Sequence, residues 1–209
     1  FLDYQDYRRF LNLLFLCNGT LAINSRHYKG LSFAACVDKI GADRKPAIHI
    51  GAYCLMSNHF HLLVREGDST SIPQVMKKLL PAYSMYFNLK YKRTGRLFES
   101  SFKAKHVDKD TYLRHLMTYI HVNPYKDSLL CRTEGARITQ EALREYLKAY
   151  QFSSFCDYAG ISRAEKAILS VEQFPEYFPE EGDFMAALHE GLWTEDNPLQ
   201  EDARLKLGI

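Results

Sequence analysis

At 209 residues the chain has the length of one ordinary domain, with room for a real core and an appendage. A hydrophobic share of 46% and a charged share of 25% are those of a globular protein and exclude extended disorder, and no apolar run reaches membrane-spanning length. The formal net charge of +2 hides an asymmetry: from Lys77 to Arg132 twelve Lys/Arg stand against four Asp/Glu, whereas Val171 to Ala203 carries ten Asp/Glu and no Lys/Arg. The middle of the chain is therefore the polyanion-binding candidate, and the acidic end is either a partner surface or a cover for the basic segment.

The opening stretch from Phe1 to Leu16 is studded with Asp3, Asp6, Arg8 and Arg9, unlike a secretion signal, and a cytoplasmic protein is expected. Within it, Tyr7, Phe10, Leu11, Leu14 and Phe15 recur at helical spacing and predict an amphipathic helix over Asp6 to Leu16. Leu31 to Ile40 is too short and mixed to assign, and Gly41 to Pro46 reads as a loop. From Ala47 to Arg65 two apolar runs flank the polar pair Ser57-Asn58, which predicts a β-hairpin. Ser71 with Pro73 starts a helix that runs to about Tyr91 with a kink at Pro81, and Thr94-Gly95-Arg96 is a turn. Alternation of Phe102, Ala104 and His106 with Lys103 and Lys105 predicts a strand over Leu97 to Val107. Asp108 or Asp110 caps a helix that Pro124 should stop, and further helices are expected over Thr139 to Tyr150 and near Asp183 to Leu192. The five cysteines, Cys17, Cys36, Cys54, Cys131 and Cys156, are scattered and never paired as C-x-x-C, which argues against a disulfide framework and a structural zinc site.

Two groups of residues carry chemistry. In the hairpin's second arm, His59 and His61 share one strand face while Phe60 points to the other, so two imidazoles converge where one divalent ion could meet both. On the capped helix, His115, Tyr119 and Asn123 lie four residues apart, with Tyr112 on the same stripe, so a nucleophile and polar partners line up. A phenol with an ordinary pKa of about 10 needs help to lose its proton, and His115, one turn before Tyr119, is the candidate base. Lys77, Lys78, Lys90, Lys92, Arg93, Arg96, Lys103 and Lys105 are the candidate phosphate contacts.

Taken together, Ala52-Tyr53-Cys54-Leu55-Met56-Ser57-Asn58-His59-Phe60-His61-Leu62-Leu63, Arg93-Thr94-Gly95-Arg96-Leu97-Phe98, Tyr112-Leu113, Tyr119-Ile120-His121-Val122-Asn123-Pro124 and Tyr150-Gln151-Phe152-Ser153-Ser154-Phe155 resemble the HUH-type single-tyrosine transposases, specifically the REP-associated, IS200-like ones. The motifs follow the family's order over roughly residues 1 to 160. The resemblance implies an α+β fold, a ferredoxin-like antiparallel sheet backed by helices, with residues 161–209 as an acidic, partly helical extension. It implies that His59 and His61 bind Mg²⁺ or Mn²⁺, that Asn123 completes the metal shell, and that Tyr119 is the nucleophile. The substrate implied is single-stranded DNA beside a hairpin, cleaved and rejoined through a 5′-phosphotyrosine. Ser57 stands where the family carries proline, and Asn123 where some relatives carry glutamine. The chain opens at what resembles the family's first helix without the strand before it, so a truncated sequence or a rearranged sheet is expected. A non-catalytic hairpin DNA or RNA binder on the same fold is the alternative; a zinc hydrolase is disfavoured because no H-E-x-x-H is present. Monomer and homodimer both remain open.

Overall fold

The computed structural model describes residues 1–20, 24–28, 30–41, 44–67, 71–134, 138–192 and 205–206. Helix α1 (Tyr4–Cys17) opens with a capping box in which Asp3 and Asp6 each accept from the other's backbone N–H, satisfying donors that the first helical turn leaves free. Its apolar stripe is buried, with Phe10, Leu13 and Leu14 fully inside. The mixed stretch after it forms helix α2 (Phe33–Ile40), whose start is set by the Ser32 hydroxyl accepting from the Ala35 N–H.

Strands β1 (Ile48–Leu55) and β2 (His59–Glu66) form the expected antiparallel hairpin, with Cys54 opposite His61 and Leu55 opposite Phe60. The register slips between Ile50 and Ala52, a bulge at Gly51. Glycine is needed there because the Phe174 ring lies 2.9 Å from where a Cβ would stand. The outer edge of β1 is extended by the aromatic-serine segment: the Leu55 N–H donates to the Phe152 carbonyl and the Ser154 N–H to the Tyr53 carbonyl. The two-residue strand β3 (Leu205–Lys206) pairs with β2 at Phe60 and His59.

Helix α3 (Ile72–Lys90) starts at Ser71 with a capping box to Gln74 and runs on through Pro81. Helix α4 (Asp110–Lys126) carries the tyrosine stripe. The remaining helices are α5 (Leu129–Glu134), α6 (Gln140–Ala149), α7 (Phe155–Tyr158) and α8 (Glu181–Gly191). The sheet divides two apolar layers. On one face Phe60, Tyr53 and Leu55 pack with Phe10 and Leu14 of α1 and Leu79 and Tyr83 of α3. On the other, Ala52, Cys54 and Leu63 meet Leu116, Tyr119 and Ile120 of α4. Each fully buried side chain of this size contributes roughly 1.5–3 kcal/mol of transfer free energy. Helix α8 lies on the far side of α4, where Phe184 and Leu188 join Val122, Tyr125 and Leu143. The fold is α+β, an antiparallel sheet backed by helices, as expected.

Three sequence expectations need correction. Residues 99–109 form no regular strand: Phe102 and Val107 are half-buried and Ala104 is exposed, so the alternation supplies no continuous apolar face to hold an edge strand. Helix α4 does not stop at Pro124 but continues through Tyr125 to Lys126. Proline removes one backbone donor, and in this last turn the loss is tolerated because Tyr125 is fully buried beside Tyr146, whose hydroxyl donates to the Pro124 carbonyl. The residue at the cap of α4 is Lys109 rather than Asp108 or Asp110, with Asp110 the first residue of the helix; α5 was not anticipated.

Candidate active site

Strand alternation puts Phe60 in the core beneath α1, and thereby turns His59 and His61 to the α4 side with Leu63. Both imidazoles are buried, at 7% and 3% exposure. Their Nε2 atoms lie 3.0 Å apart. His59 Nδ1 lies 2.7 Å from Asn58 Oδ1, an acceptor, so Nδ1 carries the proton and Nε2 presents a lone pair. The pair fits a shared ion: two nitrogens bound at about 2.1 Å each and at right angles lie about 3.0 Å apart. Among the described residues no cluster of three or more His, Cys, Asp or Glu surrounds them.

Tyr119 sits opposite the strand, in the cluster that Leu63, Leu116 and Ile120 form between sheet and helix. Its ring centroid is 5.7 Å from that of His61, at 78°. Asn123, buried one turn on, donates from Nδ2 to the Tyr119 carbonyl at 2.7 Å, which leaves Oδ1 as the amide atom able to face a cation. His115 is half-buried one turn before Tyr119, its carbonyl accepting from Thr118 Oγ1 at 3.0 Å. Tyr112 is half-buried and further back, with Lys105 Nζ 4.8 Å from its ring centre.

The expected phosphate contacts divide. Lys77, Lys78, Lys92, Arg96, Lys103 and Lys105 are exposed, and Arg93 is half-buried with its guanidinium over Phe87. Lys90 is engaged within the fold, 2.7 Å from both Asp3 and Asp6. Although burial works upward on the Asp6 carboxyl, the Lys90 ion pair with hydrogen bonds from Leu2, Tyr91 and Tyr86 holds it below the usual range. Lys90 thus ties α3 to the start of α1.

Sequence reasoning missed the clamp that fixes α4 against the sheet. His121 is fully buried; its Nδ1–H donates to the Met117 carbonyl at 2.8 Å, and its Nε2 accepts from the Ser154 hydroxyl at 2.7 Å. Ser154 Oγ in turn accepts from the Tyr53 N–H at 2.9 Å. The helix bearing Tyr119 is thereby tied to the strand paired with the histidines. Arg163 secures the same segment, reaching the Tyr53 hydroxyl at 2.9 Å and the Asp157 carboxylate, while burial raises that carboxyl. The only signal in the sequence was the aromatic-serine composition of residues 150–158.

Burial lowers the His121 imidazole to about 4, from an ordinary 6.5. The unfolded chain therefore takes up this proton first as pH falls. Charging the buried imidazole destabilises the fold, so stability from the neutral ring is complete above about pH 6.5 and falls by about 3 kcal/mol as pH drops towards 4. Urea unfolding followed from pH 7 to pH 4 is expected to show this loss, and His121→Gln, less stable at neutral pH, is expected to lack that part of the slope. The same slope in both proteins would remove His121 from its role.

The family model described as "Transposase IS200 like" matches residues 34–123, from α2 through the hairpin to Asn123. The similarity to that family covers this segment, which holds both histidines and Tyr119. No curated protein and no solved structure matches the chain significantly. No helix among the described residues is long and apolar enough to cross a membrane.

Proposed function

Starting from a segment similar to IS200-like transposases, we propose that this chain cleaves and rejoins single-stranded DNA beside a hairpin, such as a REP palindrome, through a 5′-phosphotyrosine on Tyr119. The observation that carries the reading is the Tyr119 ring 5.7 Å from an imidazole whose Nε2 lies 3.0 Å from that of a second histidine. His59 and His61 would hold Mg²⁺ or Mn²⁺, with Asn123 Oδ1 as a further ligand. Such an ion supplies charge neutralisation at the scissile phosphate.

The chain's own groups do the rest. The Tyr119 oxygen attacks the phosphorus and forms the new P–O bond as the bond to the 3′ oxygen breaks. His115 takes the phenolic proton, and the departing oxygen is protonated to a free 3′-OH. The phosphotyrosine conserves the ester, so a 3′-OH can attack it and join strands without an external energy source. The helix–strand clamp through His121 and Ser154 keeps nucleophile and histidines in register.

The test incubates the protein with a labelled hairpin carrying single-stranded flanks. Cleavage with Mn²⁺, none in EDTA, and label retained on the protein are expected. Undiminished cleavage in excess EDTA would contradict the metal, and tight binding without cleavage in Mn²⁺ would leave the non-catalytic binder. Binding should also depend steeply on salt. With about 5 phosphate contacts, log affinity against log salt should fall with a slope of roughly −3.5, and Arg96→Glu should weaken all sequences alike. A slope near zero would rule out the basic segment as the DNA surface.

A further inference from the structure

A groove of about 810 Å³ begins at His61 and follows β2 to Arg65 and Glu66. Its floor is apolar, from Leu113, Leu116 and Ile120 of α4. Its outer wall is residues 102–107, the irregular segment after α3, and its far wall is residues 173–175, beyond the family-matched part of the chain. Arg65 Nη1 donates to the Gln173 carbonyl at 3.1 Å and so holds that wall to the strand. Phe174 is anchored on the Gly51 bulge. Arg65, Lys103, Lys105 and His106 line the groove, against the single carboxylate of Glu66.

We propose that this groove takes the single strand as it leaves the cleavage point, with phosphates on Lys103, Lys105 and Arg65 and unpaired bases against Phe102 and Phe174. The inference rests on the reading that the chain acts on single-stranded DNA and adds where the strand runs. Three features favour this occupant. The volume suits a few nucleotides of an extended chain rather than a duplex, since known ligand sites of about 300–1,000 Å³ hold small groups. Cationic groups on the walls with aromatic faces between them are what an unpaired polynucleotide needs. The groove is also lined by His61, whose ring centre lies 5.7 Å from that of Tyr119, so a strand lying in it passes beside the proposed nucleophile. A peptide added to the edge of β2 would find the backbone donors but an excess of positive charge, which favours the polyanion. The segment after residue 160 then helps to select substrate, because it builds one wall.

The experiment uses Tyr119→Phe protein in EDTA, so that binding is read without cleavage. The probe is a hairpin oligonucleotide with a thymine-only flank carrying one 5-iodouracil at successive positions. Ultraviolet crosslinks from the nucleotides next to the cleavage point are expected on residues 102–106 or 173–175. The pair Lys103→Ala/Lys105→Ala and the single Phe102→Ala are each expected to weaken binding about tenfold, with the Arg132→Ala control unchanged. An abasic site at the crosslinking position should remove the effect of Phe102→Ala. Crosslinks confined to the α3 face near Lys77 and Lys78, or affinities unchanged by all groove substitutions, would overturn the proposal. The two readings fail separately: crosslinks in the groove with no cleavage by the unsubstituted protein in Mn²⁺ sink only the catalytic reading. Cleavage with crosslinks elsewhere sinks only the groove.

Discussion

Tyr119→Phe is expected to lower DNA cleavage on the order of 10⁴-fold or more while leaving affinity for the hairpin within about twofold. The substitution removes one oxygen and keeps the ring. That ring is 6% exposed and packed among Leu63, Leu116 and Ile120, so packing is preserved and stability should change by less than about 1 kcal/mol. No neighbouring tyrosine can take over. Tyr112 is two turns earlier, roughly 10 Å along the axis at 1.5 Å per residue. Tyr125 is on the same helix but faces a different cluster, its ring 5.4 Å from Tyr146 and fully buried. Cleavage at more than a few per cent of the original rate in Tyr119→Phe would mean that the attacking group is another one. A variant with normal cleavage and weakened binding would place Tyr119 on the substrate surface instead.

The histidine substitutions should rank next. His59→Ala and His61→Ala are each expected to reduce cleavage about 10³-fold, as excess EDTA does in the unsubstituted protein. Calorimetry should show Mn²⁺ binding in the parent and none in either variant. Asn58→Ala should have a smaller effect, about 10- to 100-fold, because Asn58 acts through His59, its Oδ1 lying 2.7 Å from Nδ1 and holding the proton there. Removing His61 also leaves a cavity beside Tyr119, so the folded state needs its own control in near-ultraviolet circular dichroism. Folded variants that bind Mn²⁺ as tightly as the parent would show that the imidazoles are held together for another reason.

The parts of this molecule readable from sequence are those where a local period repeats. The α1 stripe, the hairpin, the capped start of α3 and the His115, Tyr119, Asn123 spacing each follow from neighbours in the chain, and each is present. What escaped depends on partners far away. The alternation of Phe102 to His106 looked like a strand, but only packing against a sheet could make it one. Pro124 looked like a helix end, and the burial of Tyr125 carried the helix two residues further. Lys90 looked like a phosphate contact; Asp3 and Asp6, more than eighty residues earlier, engage it. The clamp of His121, Ser154 and Tyr53 spans a hundred residues and leaves no periodic trace. The wall formed by residues 173–175 lies in the acidic stretch expected to be a partner surface or a cover for the basic segment, but no local pattern marked these three residues as the ones beside residues 102–107.

The most direct measurement is the chemical identity of the protein–DNA adduct. The protein is incubated with labelled hairpin DNA and Mn²⁺, digested with protease and nuclease, and the modified peptide is sequenced by mass spectrometry. A nucleotide joined through its 5′-phosphate to Tyr119, and absent from Tyr119→Phe, is the expected result. A nucleotide on Tyr112 or Tyr125, or an adduct that persists in Tyr119→Phe, would contradict the assignment of the nucleophile.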